Sequence, residues 1–240
     1  MNYGQCQLPI VPVRATASDA AEQVTQLLFG EGYRVMDTAK EGKWIQIQSL
    51  QDQYVGWIDH RQHFATEQQP QAGEYILFEP MVRLEEAFIM AGATFSEPKP
   101  EHASLIKVKD KRWDADLIAG WAYRLLGCPY QWGGKTMAGI DCSGLTQLAY
   151  AIGGYAIPRD ASEQVKLGSG VAFIDRKAGD LAFFSNEQGK INHVGLVTQE
   201  GEIIHASGKV RVDSLTVAGI YCVEEDRLTH QLAEVRRLIN

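Results

Sequence analysis

Apolar and polar positions alternate in short runs over the first sixty residues, and the spacing turns helical only in the second half. Leu8 to Val13, Val24 to Phe29, Tyr33 to Met36, Trp44 to Gln48 and Tyr54 to Ile58 are such runs, broken by Gly30-Glu31-Gly32 and by Gly42. A period of two over four to six residues, repeated at close spacing, predicts five strands of a small β-barrel. Trp44, Trp57 and the alternating aliphatic residues are its expected core. Beyond the polar break Glu67 to Gln71, the runs Tyr75 to Phe78, Ala87 to Met90 and Leu105 to Val108 predict further β segments, with the proline-bearing Ser96 to Glu101 as a turn or exposed loop.

The pattern changes at Trp113. Asp114 is placed to cap a helix carrying Leu117, Ile118, Trp121, Ala122, Leu125 and Leu126, with Gly127 as its stop. A second helix begins at Cys142 and carries Leu145, Leu148, Ala149 and Ile152 up to Gly153-Gly154. A third, polar start lies at Ser162-Glu163-Gln164. Leu181 to Phe184, Val194 to Val197, Ile203 to Ala206, Val210 to Val212 and Glu234 to Leu238 then predict strands. Helices followed by an antiparallel sheet give an α+β class. The expected division is residues 1–64 as a β-barrel, 65–112 as added β segments and linker, and 113–240 as the α+β domain.

With 240 residues the chain is long enough for one large or two small cores. Its net charge of −7 disfavours nucleic acid as a partner. No apolar run approaches the length of a membrane span. Met1 to Cys6 lack a basic region followed by an apolar stretch, so the expected location is cytoplasmic, or periplasmic or secreted where a signal has been removed. Cys6, Cys128, Cys142 and Cys222 form no C-x-x-C pair, which argues against a zinc ribbon, and they are read as reduced thiols. No cofactor is expected, and the sequence does not specify an oligomeric state.

The chemistry centres on Cys142. At the first turn of a helix, free N–H groups and the positive end of the dipole favour thiolate over thiol. Such a thiol needs a base. Of six histidines, His60, His63, His102 and His230 lie in polar stretches and read as solvated. His193 and His205 each adjoin an apolar strand, and antiparallel neighbours joined through Gln199 to Glu202 would bring them together as a base and its orienting partner. A metal site built from Cys142, His193 and His205 is a rival reading of the same three residues.

The order of the blocks adds to this. Tyr130-x-Trp132-Gly133-Gly134, Asp141-Cys142-Ser143-Gly144-Leu145, Pro158-Arg159, Gly179-Asp180-Leu181-x-Phe183-Phe184, His193-Val194-Gly195 and His205-Ala206 together resemble the NlpC family of papain-like cell-wall cysteine peptidases. The leading barrel, through Val11-Pro12-Val13-Arg14 and Gly56-Trp57-Ile58-Asp59, resembles a bacterial SH3-like domain, and residues 65–112 could be a reduced second such unit. The resemblance implies that Cys142 is the nucleophile, His193 the base and His205 the orienting member, with the resting pair partly thiolate and imidazolium. It also implies a γ-D-glutamyl-L-diamino acid endopeptidase acting on murein peptides that carry a free N-terminal L-alanine.

An ammonium at that end of the substrate needs acidic and hydroxyl acceptors at short range. Asp141, adjoining the nucleophile, is the candidate for it, against a purely structural helix-start role. Ser143 and Ser162 are candidates to hydrogen-bond the glutamate α-carboxylate, with Ser162 equally suited to cap a helix. Tyr54 and Glu22 are the candidates from the barrel. Arg159 and Asp160 read as an internal ion pair or loop brace. The competing functional readings are a murein-binding module without activity, and an acyltransferase or amidase on the same scaffold.

Overall fold

The computed structural model describes residues 2–84, 86–98, 105–107 and 112–239. His102 and Val108 lie outside the described residues. The chain divides into two compact units: residues 1–111 with 132–137, and residues 112–131 with 138–240.

The first unit is built on β1 (Tyr3–Gln5), β2 (Ile10–Arg14), β3 (Gln23–Leu28), β4 (Gly32–Ala39), β5 (Trp44–Ser49), β6 (Val55–Asp59) and β7 (Ala65–Thr66), in the sheet order β3-β2-β6-β5-β4-β1-β7. The alternation predicts five of these strands. β1 and β7 are too short to show a period, and they form because β1 pairs with both β4 and β7. Val11, Val13, Leu27, Tyr33, Ile45, Ile47 and Ile58 fill the interior. Trp44 joins the buried set as expected, whereas Trp57 is only half-buried.

Beyond β7, β8 (Tyr75–Leu77), β9 (Met81–Leu84), β10 (Ala87–Met90), β11 (Thr94–Phe95) and β12 (Leu105–Lys107) form a β9–β10 hairpin and a three-stranded β11-β8-β12 sheet. They pack around Leu77, Ile89, Ala93 and Phe95, with Phe29 of the barrel against the same cluster. The segment 132–137, which contains β13 (Lys135–Thr136), belongs to this unit: Lys135 N donates to Gln26 Oε1 at 2.8 Å and its Nζ to Glu31 Oε1 at 3.0 Å.

In the second unit, α1 (Ala115–Ala122) starts under the Asp114 cap, whose carboxylate accepts from Leu117 N. The helix gives way to a 3₁₀ turn at Tyr123–Leu125, and Gly127 stops it at φ +81°. Leu117 and Leu126, counted in the apolar stripe, are exposed. After β14 (Gly139–Ile140), α2 (Cys142–Ile152) is buried over ten of its eleven residues. α3 (Ala161–Gln164) follows, with Asp160 at the cap position, so Ser162 is not the cap.

The strands β15 (Ser169–Val171), β16 (Leu181–Ser185), β17 (Ile191–Val197), β18 (Ile203–Ser207), β19 (Lys209–Thr216), β20 (Gly219–Cys222) and β21 (Arg227–Arg237) make one antiparallel sheet in the order β15-β21-β16-β17-β18-β19-β20. Because the first half of β21 also pairs with β20, strands β16 to β21 close on themselves. The expected antiparallel sheet is therefore a closed one. That closure places residues of β21 beside those of β17.

Candidate active site

Cys142 occupies the first position of α2, and Asp141 is its N-cap. The Asp141 carboxylate accepts from Gly144 N at 2.7 Å and from the Ser143 hydroxyl at 3.3 Å through Oδ1, while Oδ2 takes Arg159 Nη2 at 2.5 Å. Arg159 Nη1 also donates to Ser143 Oγ at 2.7 Å. All three side chains are buried, so this network fixes the first turn of the helix and with it the sulfur. Arg159, expected to act with Asp160 as an ion pair or loop brace, makes its buried ion pair with Asp141. Gln164 of α3 completes the brace by donating to Ser143 O and Pro158 O.

α2 packs against β17, and the thiol receives hydrogen bonds from the backbone N–H of Val194 and of Ser143. Val194 follows His193 on β17. His193 Nε2 lies 2.8 Å from His205 Nδ1, and the two rings meet edge to face. The pairing of β17 with β18 sets Gly195 directly opposite His205. The two imidazoles thus face each other in a hydrogen bond and do not converge on a common point, which is unlike a metal-ligand pair. His205 Nε2 in turn lies 2.9 Å from Asp213 Oδ2.

His230, expected at the solvated surface, belongs to this cluster. Its ring stacks on His193 with centroids 4.1 Å apart, and both line a cleft of about 320 Å³ with Tyr130, Asn192, Ala206, Ser207 and Gly208. The expectation fails because the segment around Thr229-His230-Gln231 looks polar, while the β20–β21–β16 pairing turns this residue inward. His63 is also half-buried, with Nδ1 3.1 Å from the Tyr33 hydroxyl, and only His60 of the described trio is exposed.

Electrostatics favour the neutral thiol–imidazole pair in the free protein. Burial, with the Asp141 charge beside it, pushes the Cys142 thiol up to about 11 against the N–H donors and Arg159. Burial, then repulsion from His205 and His230, holds His193 well below the ordinary histidine range. Both shifts oppose the expected resting thiolate–imidazolium. The helix start acts against this, lowering the cost of forming the thiolate. Burial, helped by the charges of Cys142 and Asp141, raises the Tyr130 phenol to about 12, so it is a hydrogen-bonding group at neutral pH.

Cys142, Asp141, Ser143, His193 and His205 are therefore brought together in the second unit. Ser162 is half-buried in the first turn of α3. Glu22 and Tyr54 lie in the first unit. Glu22 is exposed and accepts the Trp132 indole N–H at 2.5 Å, while Tyr54 is half-buried ahead of β6, its N–H donating to Asp52 Oδ1. Sequence reasoning missed Asp213, Arg211, His230 and the contact of Arg159 with Asp141. Only Asp213 carries a local signal, as the residue continuing the alternation Val210-Arg211-Val212.

A buried thiol at a helix start, with an imidazole pair on the closed antiparallel sheet against it, holds the parts of a thiol nucleophile and its base. Residues 127–227 match the NlpC/P60 family, and residues 13–62 match the bacterial dipeptidyl-peptidase SH3 domain. The chain is 34% identical over 213 residues to the gamma-D-glutamyl-L-lysine dipeptidyl-peptidase of Bacillus subtilis, covering 76% of this chain and 71% of that protein. It is 27% identical over 230 residues to the protein of the same name from Bacillus cereus, covering 79% and 68%. A crystal structure of an NlpC/P60 family protein from Bacillus cereus shares the fold, with a TM-score of 0.80 at 19% identity over 99% of this chain and 100% of that one. The chain belongs to the NlpC/P60 family.

Proposed function

We propose that this peptidase hydrolyses the amide between the γ-carboxyl of D-glutamate and an L-diamino acid, diaminopimelate or lysine, in murein peptides with a free N-terminal L-alanine. The observation that carries this reading is the 34% identity, over most of both chains, to a relative named for the γ-D-glutamyl-L-lysine bond. The Cys142–His193–His205 cluster supplies the parts the reaction needs.

In the proposed mechanism His193 takes the Cys142 proton as the sulfur attacks the γ-carbonyl. The Cys142 backbone N–H, at the start of α2, faces the developing oxyanion. The imidazolium then protonates the leaving amine, and neutral His193 activates water to release the acyl group. Asp141, next to the thiol, is the proposed acceptor for the alanine ammonium, and Ser143 and Ser162 are the proposed hydrogen-bond donors to the glutamate α-carboxylate. A requirement for the free amine excludes wall peptides whose alanine is acylated, so the natural substrates are short turnover peptides and the role is recycling.

Purified protein offered L-Ala-γ-D-Glu-diaminopimelate, and separately its N-acetylated form, tests this. Release of L-Ala-D-Glu from the free-amine peptide alone is expected. Equal cleavage of both overturns the specificity, and activity persisting in Cys142→Ala overturns the mechanism.

A further inference from the structure

Behind His205 lies a group that the nucleophile–base–orienter scheme does not use. Asp213 is on β19, which pairs with β18, and its side chain is 4% exposed. Its Oδ2 is 2.9 Å from His205 Nε2, and its Oδ1 accepts from Arg211 Nη2 at 2.9 Å, with Arg211 Nε 2.7 Å from Oδ2. Arg211 is itself held on its other side by Glu224 Oε2 at 3.0 Å. Burial acts to raise the Asp213 carboxyl, but the hydrogen bonds from His205 and Arg211 outweigh it and hold the group below its ordinary value. It is a carboxylate at neutral pH and can only accept.

We propose that Asp213, clamped by Arg211, is a positioning residue that fixes the ring protons of both imidazoles and so selects Nδ1 of His193 as the catalytic base. This rests on the reading of Cys142 and His193 as the reacting pair. The chain of consequence is short. An acceptor at Oδ2 requires the proton on His205 Nε2. A neutral His205 with its proton on Nε2 presents a lone pair at Nδ1. The 2.8 Å contact then requires His193 to donate from Nε2. A neutral His193 with its proton on Nε2 has its free lone pair on Nδ1, the ring nitrogen not engaged by His205. Reversing the first proton reverses all of them, leaving an N–H where the base should be.

The direct measurement is 15N NMR of the histidine rings in the full-length protein at neutral pH. His205 is expected to carry its proton on Nε2, with an acceptor-type Nδ1, and His193 to be protonated at Nε2 whether or not Cys142 has transferred its proton. His205 protonated on Nδ1 with a bare Nε2 overturns the proposal without any variant. In Asp213→Asn one acceptor oxygen must serve both Arg211 and His205, and the amide N–H₂ turned toward His205 reverses its tautomer. With folding checked by near-UV circular dichroism, the variant is expected to lose roughly 10- to 100-fold in kcat with KM changed less than about twofold. Alkylation of Cys142 by iodoacetamide is expected to slow by a similar factor.

A rate loss with unchanged ring protons assigns Asp213 a merely structural role and overturns the proposal. So does a reversed tautomer with unchanged rates. If the wild-type protein cleaves none of the murein peptides, the functional reading above fails, while the NMR and alkylation results still decide the role of Asp213.

Discussion

The imidazole of His230, stacked on His193, adds a second imidazole to the lining of the cleft. Burial, reinforced by the neighbouring His205, brings His230 down to about 4, so at neutral pH it is an uncharged flat surface against the base. Its effect on catalysis is confined to acid. With His193 as the proposed base, which works only when neutral, activity is expected to be lost as pH falls through its depressed value. Positive charge on His230 and His205 is part of what depresses it, after burial. His230→Phe keeps the stack and the burial and removes the charge, so protonation of His193 becomes easier. The acid limb of kcat/KM is expected to move to higher pH, with the rate near pH 8 changed less than about threefold. A pH–rate profile of the two proteins reads this, and a limb that stays put or moves to lower pH contradicts it. At this scale the sequence discloses residues whose immediate neighbours announce them. Cys142 heads an apolar helix, and His193 and His205 adjoin buried strands. His230 and Asp213 depend on which strand lies beside β21 and β18, a long-range fact that no local pattern encodes.

Elements set where those residues point, and one glycine shows how closely. Gly195 stands opposite His205 in the β17–β18 register, and a Cβ added to it would lie 2.7 Å from Ile203 Cδ1 and 2.9 Å from His205 Cβ. The glycine of His193-Val194-Gly195 thus belongs to the site through sterics, since it is the space in which His205 reaches its partner. Gly195→Ala is expected to destabilise the fold by about 1–3 kcal/mol through overpacking. It should also lower kcat about tenfold or more as His205 is displaced from His193. Gly170→Ala on β15, where an added Cβ meets nothing within 4 Å, is the control and should stay within about 0.5 kcal/mol of the wild type. Urea unfolding and steady-state kinetics of both variants separate the effects. α2 and the longer barrel strands are legible because their periods run for several residues, and α2 ends at Gly153-Gly154. β1, β7, β13 and β14, of two or three residues each, have no period to read, and α1 loses its last turn to a 3₁₀ segment although its apolar spacing continues.

At the scale of the whole chain, the division into units does not follow sequence order. Residues 132–137 interrupt the second unit's sequence and are built into the first, so the backbone passes between the units three times. What holds the segment is a buried ion pair: Lys135 and Glu31 are 3.0 Å apart with side chains 8% and 7% exposed, and Glu31 Oε2 also accepts from Leu28 N. Burial raises the Glu31 carboxyl, and the charge of Lys135 is the chief influence opposing it. Lys135→Met leaves that carboxylate buried without its cation, a loss of about 3–5 kcal/mol. The loss has a pH signature. Without Lys135 the folded-state value of Glu31 climbs further above its unfolded value, so the folded form binds a proton that the unfolded form releases. Stability relative to the wild type is therefore recovered as pH falls through the raised folded value, and it is lost again as pH rises. Urea unfolding of Lys135→Met and wild type is expected to show a larger difference at pH 8 than at pH 5. The double variant Glu31→Leu/Lys135→Met should regain most of the stability at both pH values and erase the pH dependence. A penalty of equal size at both pH values would mean that the pair contributes through packing of the lysine stem alone.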